Sequence, residues 1–470
     1  MSRFVMKFGG TSVGDASAFA QVRDIVAEQA RNGDRIVAVV SAMSGATDEL
    51  TRGIVSAADG DKEIYHDVCN SLRERHLNVI SESIRDDKAR DTLISTLDAH
   101  IADYANLCAS VRVLGEVTLR VMDQALSRGE RMSARILAAL LQQDGVQSEA
   151  VDATDLIITD QAFGNAAPIT EVTSKHITSK LIPLLEAGVI PVVTGFIAAT
   201  EGGVTTTLGR GGSDYTAAII GDALDADAVW IFTDVDGVMT ADPRIAPAAR
   251  VIPVISYTEV GELAYFGAKV LHPRTIRPVI EREIPVWVKN TFHPDRSGTR
   301  IVRDATNTHG TVKAVTMITG LSMVTIAGRG MIGIPGIAGR TFSAVAREGT
   351  SVLMISQASS EQSICFIIPT VSAKAVVHTL QEEMERELSR RDIDRIWADN
   401  DIVIISAIGT GMRGTPGISA RIFGALGSAG INVIAIAQGS SECSISLVVT
   451  AADTTSAVQQ IHKEVINYGK

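Results

Sequence analysis

Over residues 1–300 the apolar positions come in short runs separated by amphipathic stretches. Residues 3–8 (RFVMKF) read as a strand that ends in the glycine-rich turn Gly9-Gly10-Thr11-Ser12-Val13-Gly14. A helix-like segment over 16–32 and a buried strand over 36–40 follow. From about 61 to 128 the apolar residues recur at helical spacing, with charges on the opposite face. Apolar runs at 189–194 and 228–233 alternate with further helical segments; a helix is expected over 216–224. This alternation predicts a largely parallel sheet with helices on both faces. Ligands of such sheets sit beyond the carboxyl ends of the strands.

The pattern changes near 293–312, where apolar density drops and turn formers cluster, so a domain boundary is expected there. Beyond it the chain repeats itself. Gly330-Met331 through Ser359-Ser360-Glu361 matches Gly411-Met412 through Ser440-Ser441-Glu442 without a gap. Pro335-Gly336-Ile337 pairs with Pro416-Gly417-Ile418, Arg340 with Arg421, Phe342 with Phe423 and Gln357 with Gln438. Each copy reads strand, glycine-rich turn, helix, strand, tight turn, strand, helix, the order of a ferredoxin-like βαββαβ module. The expected division is 1–300, 313–390 and 391–470, with the strand at 312–318 a candidate for exchange between the modules.

Composition sharpens this picture. At 470 residues, two or three domains are expected. With 46% apolar and 21% charged residues, a well-packed α/β protein fits better than a disordered chain. The net charge of -11, without a basic stripe to offset it, argues against a nucleic-acid binder. Cys69, Cys108, Cys365 and Cys443 form no CxxC pair and read as free thiols in a reducing compartment. The N-terminus has no apolar leader and no run is long enough for a membrane span, so a cytoplasmic protein is expected.

Two glycine patterns need separating from the rest. Gly328-x-Gly330-x-x-Gly333 and Gly409-x-Gly411-x-x-Gly414 match a dinucleotide fingerprint and raise a nicotinamide-dependent dehydrogenase as an alternative. Against it, Glu348 precedes the strand it should close, and each unit is too short for a mononucleotide-binding half. These glycines are read instead as admitting a small ligand or a partner strand.

The candidate chemistry lies in the first 300 residues. Lys7 closes the first strand before Gly9 and Gly10, a turn whose backbone amides can approach phosphates while the lysine supplies charge. Gly209-Arg210-Gly211-Gly212-Ser213-Asp214-Tyr215 interrupts an apolar pattern just before a helix. Ser213 or Asp214 can cap that helix, its N-terminus suits an anion, and Arg210 offers a fork to a carboxylate. Thr233-Asp234-Val235-Asp236-Gly237 is no EF-hand, because the glycine comes too early and no closing glutamate fits; a nucleotide contact suits it better. Taken alone, Gly129-Glu130-Arg131 and the segment from Ser41 to Thr47 look like a solvated glutamate and an ordinary loop.

Together these segments resemble the aspartate kinase branch of the amino acid kinase family, over essentially the whole chain. KFGGTSVG at 7–14, GRGGSDY at 209–215, TDVDGVMTADPR at 233–244 and FGAKVLHPRT at 266–275 carry the resemblance, and the duplication is similar to that family's paired ACT regulatory domains. The resemblance implies a three-layer αβα kinase domain followed by two ACT modules. It implies ATP as phosphoryl donor, with Mg2+ carried by the nucleotide and no dedicated metal site, and L-aspartate as acceptor. Lys7 and Asp214 would then be catalytic, Arg210 would hold the α-carboxylate and Glu130 the ammonium. Ser41, Thr47 and Ser213 would orient the substrate. Lys7, Gly9, Gly10, Thr233, Asp234, Met239, Arg244 and Lys269 would contact the nucleotide. Met239 departs from the tyrosine common there, and Ser351 stands opposite Asn432 in the second copy. His272 is read as structural.

A carboxylate is already an adequate nucleophile, so catalysis is expected from alignment and charge neutralisation rather than from a general base. An amino-acid effector, threonine or lysine, is expected at the module turns with Gln357 and Gln438, in a homo-oligomer joined through the ACT modules. The chain reaches Lys470 just after the second copy, so no fused homoserine dehydrogenase domain is expected. Another carboxylate-directed amino acid kinase and an inactive amino-acid sensor are the remaining alternatives.

Overall fold

The computed structural model describes residues 2–268, 271, 273–305, 312–331, 334–357, 362–439 and 441–466. The chain divides into two compact units, one of Met1–Val238, Pro253–Tyr257 and Leu271–Ala305, the other of Met239–Ile252, Thr258–Val270 and Thr306–Lys470.

In chain order the elements begin with β1 (Arg3–Phe8), α1 (Ala16–Arg31), β2 (Arg35–Val40), α2 (Ala46–Ala58), α3 (Lys62–Ser83), α4 (Asp87–Leu114), α5 (Leu119–Leu126) and α6 (Arg128–Gln143). There follow β3 (Ser148–Val151), β4 (Ile158–Thr159), α7 (Thr170–Glu186), β5 (Ile190–Thr194), β6 (Ile197–Thr200), β7 (Thr205–Thr207), α8 (Gly212–Ala223) and β8 (Ala228–Thr233). Then come β9 (Val254–Ser256), α9 (Tyr257–Tyr265), α10 (Pro273–Glu281), β10 (Val286–Asn290) and β11 (Thr299–Val302).

The first unit is built on an eight-stranded sheet in the order β3-β5-β2-β1-β8-β10-β11-β9. Its pairs are parallel except β10 with β11, as the alternation of strands and helices predicts. Successive side chains alternate between faces. Met6, Phe8, Ile36, Ala38, Val40, Val192 and Phe232 join one core with α1, α2, α3, α4 and α6. Val5, Val37, Val39 and Val229 on the opposite pleat are buried, and α8 covers that side with α7 and α10 against it. Both faces are therefore dry, which leaves the strand ends as the place for polar chemistry. A small sheet, β4-β6-β7, lies outside this pattern; strands of two to four residues leave no alternation to read.

The helix expected over 216–224 starts earlier, at Gly212, with Gly211 as its N-cap. Gly211 has φ 72°, a left-handed conformation that glycine adopts without strain, and no side chain caps the helix. Ser213 and Asp214 thus lie in the first turn. Their side chains are free for other work.

The second unit adds β12 (Ala314–Ala327), α11 (Ile337–Arg347), β13 (Met354–Gln357), β14 (Ser363–Pro369), α12 (Thr370–Glu383), α13 (Glu385–Arg390), β15 (Arg395–Ile408), α14 (Ile418–Ser428), β16 (Ala435–Gln438), β17 (Ser444–Thr450) and α15 (Thr454–Val465). Its antiparallel sheet runs β13-β14-β12-β15-β17-β16. The strands β12 and β15 serve both copies of the repeat. Residues 321–327 of β12 pair with β14, while its beginning, 314–318, pairs with 404–408 of β15. The register shifts between those two stretches. Each copy thus has the 4-1-3-2 strand order of a ferredoxin-like module, with one strand drawn from the other. A Cβ on Gly328 would collide with the backbone of Asp392 and Ile393, so the first fingerprint glycine admits a neighbouring segment of chain, not a dinucleotide.

Segments 239–252 and 258–270 belong to this unit. Thr240 Oγ1 meets His462 Nε2 of α15 at 2.9 Å, and Val315 N donates to Thr240 O. Glu259 of α9 is fully buried; it pairs with Lys313 at 3.1 Å and accepts from both N and Oγ1 of Thr410 at 2.8 Å.

Candidate active site

The carboxyl ends of β1, β2 and β8 are stitched together by backbone hydrogen bonds. Gly9 N donates to Phe232 O at 3.1 Å, Ser41 N to Phe8 O at 3.1 Å and Ser44 N to Gly10 O at 3.1 Å. The loops after these strands thereby form one wall of a cavity of about 770 Å³. Lys7, Gly9 and Gly10 come to it from β1, Ser41 and Thr47 from the loop after β2, and Thr233 and Asp234 from the end of β8. Glu130 comes from the first turn of α6, and Arg210, Ser213 and Asp214 from the turn that opens α8.

Three features give the cavity its chemistry. Lys7 Nζ stands 2.6 Å from Asp214 Oδ1, with both side chains largely buried. The carboxylate holds the ammonium at the strand end instead of letting it swing into solvent. Glu130 is 3% exposed, and its Oε2 has no hydrogen-bond partner among the described residues. Burial pushes its carboxyl up to about 7, against the opposing pull of its own backbone amide, that of Ala42 and the charge of Arg131. Arg210 lies exposed on the rim, between two left-handed glycines, Gly209 and Gly211. The cavity thus lines up a buried carboxyl, an arginine fork and a lysine beside glycine amides.

Not every expected residue joins this group. Met239 and Arg244 are not among the lining residues and belong to the second unit. There Met239 bridges to Val251, and the exposed Arg244 pairs with Asp242 at 2.6 Å. Lys269 and His272 lie outside the described residues. In the second unit Gln357 closes β13 and lines a cavity of about 270 Å³ with Met331, Ile334, Gly336, Ile337 and Ile364. Gln438 closes β16 and is exposed.

Several lining residues are not among those expected from the sequence; Phe196 and Asp123 are two of them. Phe196 holds φ 67°, unusual for a residue with a Cβ. Asp123 is fully buried on α5, where the sequence shows only an acidic residue in an amphipathic helix. A loop glycine-phenylalanine pair after a strand was the signal available for the first; the second had none.

A family model described as "Amino acid kinase family" matches residues 2–290, and one described as "ACT domain" matches 324–384 and 405–465. The chain belongs to the amino acid kinase family and, within it, to the aspartokinases with paired ACT domains. Aspartokinase 1, chloroplastic, of Arabidopsis thaliana is 34% identical over 99% of this chain and 80% of its own length. Bifunctional aspartokinase/homoserine dehydrogenase 1, chloroplastic, of the same plant is 36% identical over 97% of this chain and 50% of its own length. The chain thus spans about half the length of such bifunctional relatives. Among solved structures, E. coli aspartokinase III in complex with aspartate and ADP superposes with a TM-score of 0.79 at 29% identity, covering 99% of this chain and 100% of that one. Its complex with lysine and aspartate gives 0.80, also at 29% identity, covering 99% of both chains.

Proposed function

We propose that this protein transfers the γ-phosphoryl group of ATP to the side-chain carboxylate of L-aspartate, giving 4-phospho-L-aspartate, and that its ACT modules bind an amino acid that regulates the reaction. The observation that carries the reading is Glu130. A buried carboxylate with one oxygen unpartnered is costly, and a substrate ammonium is the group that would relieve it. Arg210, on the same cavity, supplies the fork for an α-carboxylate. A neutral sugar or a nucleobase would use neither.

With the α-amino and α-carboxyl groups gripped in this way, the side-chain carboxylate of aspartate points toward Lys7, oriented by Ser41, Thr47 and Ser213. The attacking oxygen already carries a lone pair and negative charge, so no proton has to be removed. What the site must supply is alignment of two anions and relief of their repulsion. Lys7, held by Asp214, neutralises charge that grows on the transferring group, and the amides near Gly9 and Gly10 add fixed dipoles. Thr233 and Asp234 contact the nucleotide. Magnesium carried on the triphosphate would neutralise its charge, with Asp214 and Asp234 on the cavity wall as the carboxylates that would face its water shell.

E. coli aspartokinase III has been solved with lysine. For this chain an amino-acid effector, lysine or threonine, is assigned to the cavity beside Gln357, with Gln438 as its counterpart, in a homo-oligomer joined through these modules. Among the described residues no helix is long and apolar enough to cross a membrane.

The test is an assay of ADP release with ATP and each candidate acceptor, with hydroxylamine present to trap the acyl phosphate. Aspartate should give a hydroxamate; glutamate and N-acetylglutamate should give far less. ADP release that is indifferent to aspartate would sink the proposal.

A further inference from the structure

Asp123 takes no part in the chemistry above, yet it lines the same cavity and is fully buried. Its carboxylate accepts from Thr207 Oγ1 at 2.6 Å, from Thr207 N at 3.0 Å and from Gly164 N at 2.9 Å. Among the described residues these bonds, rather than an ion pair, meet its charge. Burial raises its pKa and the three donors pull it back. A carboxylate would not be kept in so dry a place to fill space, because an apolar side chain does that without the desolvation cost.

What it joins explains its use. Thr207 ends β7, and Leu208 alone separates it from Gly209 and Arg210. Gly164 begins the floor on which that turn rests: Ala166 N donates to Thr207 O at 2.9 Å, and a Cβ on Gly209 would stand 2.6 Å from Asn165 Oδ1. Arg274 Nη1 holds the same Asn165 oxygen at 2.6 Å. On its other side Asp123 belongs to α5, whose last turn runs into α6, with Ser127 N donating to Asp123 O at 3.1 Å. Glu130 lies in the first turn of α6. One side chain therefore fastens the carrier of Glu130 to the carrier of Arg210.

We propose that Asp123 is a positioning residue that sets the separation of the two groups gripping the α-ammonium and α-carboxylate of the amino-acid substrate. The proposal rests on the reading of the cavity as an aspartate site. Its side-chain bonds reach Gly164 and Thr207 and none of the residues read as nucleotide contacts.

The test compares Asp123→Ala with Asp123→Asn by hydroxamate assay, titrating aspartate and ATP separately. Asp123→Ala should raise the KM for aspartate about tenfold or more, the usual effect of losing hydrogen bonds to a charged group, and leave the KM for ATP within about twofold. Asp123→Asn should recover most of the loss. Its amide oxygen can accept from both backbone N–H groups, while the Thr207 hydroxyl turns to accept from the amide nitrogen. An unchanged aspartate KM in Asp123→Ala overturns the proposal. So does an Asn variant as damaged as the Ala variant, since charge and not bonding would then be at work. If Asp123→Ala does not fold, Thr207→Val carries the test, because it removes only the 2.6 Å bond. It should raise the aspartate KM severalfold with the ATP KM unmoved, and no change in either overturns the idea. Wild-type enzyme that makes no hydroxamate from aspartate would overturn the site reading instead, and the same variants are then compared on whichever amino acid the wild type phosphorylates.

Discussion

Replacing Glu130 by glutamine separates its cost to the fold from its use to the substrate. The exchange keeps shape and removes charge from a position 3% exposed. Burial lifts the carboxyl from an ordinary 4.5 to about 7. Between those values the folded protein binds more protons than the unfolded chain, so stability falls as pH rises across the window. Above pH 7 the penalty is fully present, and a gap of that size corresponds to about 3 kcal/mol. Glu130→Gln should therefore be more stable than wild type at pH 8 by up to about 3 kcal/mol, and nearly equal to it at pH 4.5. Urea unfolding of both proteins at the two pH values, without substrate, measures this. Activity should move the other way. An amide cannot neutralise the substrate ammonium, so the aspartate KM should rise about ten- to a hundredfold while the ATP KM stays put. In the wild type the aspartate KM should climb as pH falls below 7, and in the variant that climb should vanish. A stability difference equal at both pH values, or a variant that loses ATP affinity instead, would refute the reasoning.

Three further outcomes follow from the same geometry. Arg210→Ala removes the fork and should raise the aspartate KM about ten- to a hundredfold; an increase confined to the ATP KM would reverse the assignment of the two subsites. Lys7→Ala should lower kcat about a hundred- to a thousandfold with small changes in either KM, and near-normal turnover would reduce Lys7 to the partner of Asp214. Gln357→Ala should raise the effector concentration for half-inhibition about tenfold. A lysine or threonine inhibition curve that does not move would take Gln357 out of the sensing site.

The parts of the molecule that local chemistry dictates could be read from the chain. A dry parallel sheet needs apolar strands on both pleats, and phosphates at strand ends need glycine; both leave marks in a single segment. The duplication was equally plain. What stayed hidden depends on distant partners. The start of α8 is set by Gly211 at positive φ, with no capping side chain to announce it. Asp123 becomes informative only when Gly164 and Thr207 arrive beside it. Met239 and Arg244 sit in a motif continuous with the strand end at Thr233, yet the chain crosses into the second unit at residue 239. Thr240 is held there by His462, more than two hundred residues away in sequence, a partner no local pattern points to.

The sharing of β12 and β15 also sets an order of events during synthesis. Ala314 pairs with Ile408, and Leu321 with both Pro369 and Ile402, so β12 emerges from the ribosome well before the strand that completes either copy. Until β15 is made, its apolar pleat, including Val324 and Ile326, has an unpaired edge. Pairings this distant are slow to form, and the exposed edge is open to other chains meanwhile. The nascent second unit should therefore be the part of this protein most dependent on chaperones, and the part first lost to aggregation when synthesis is fast.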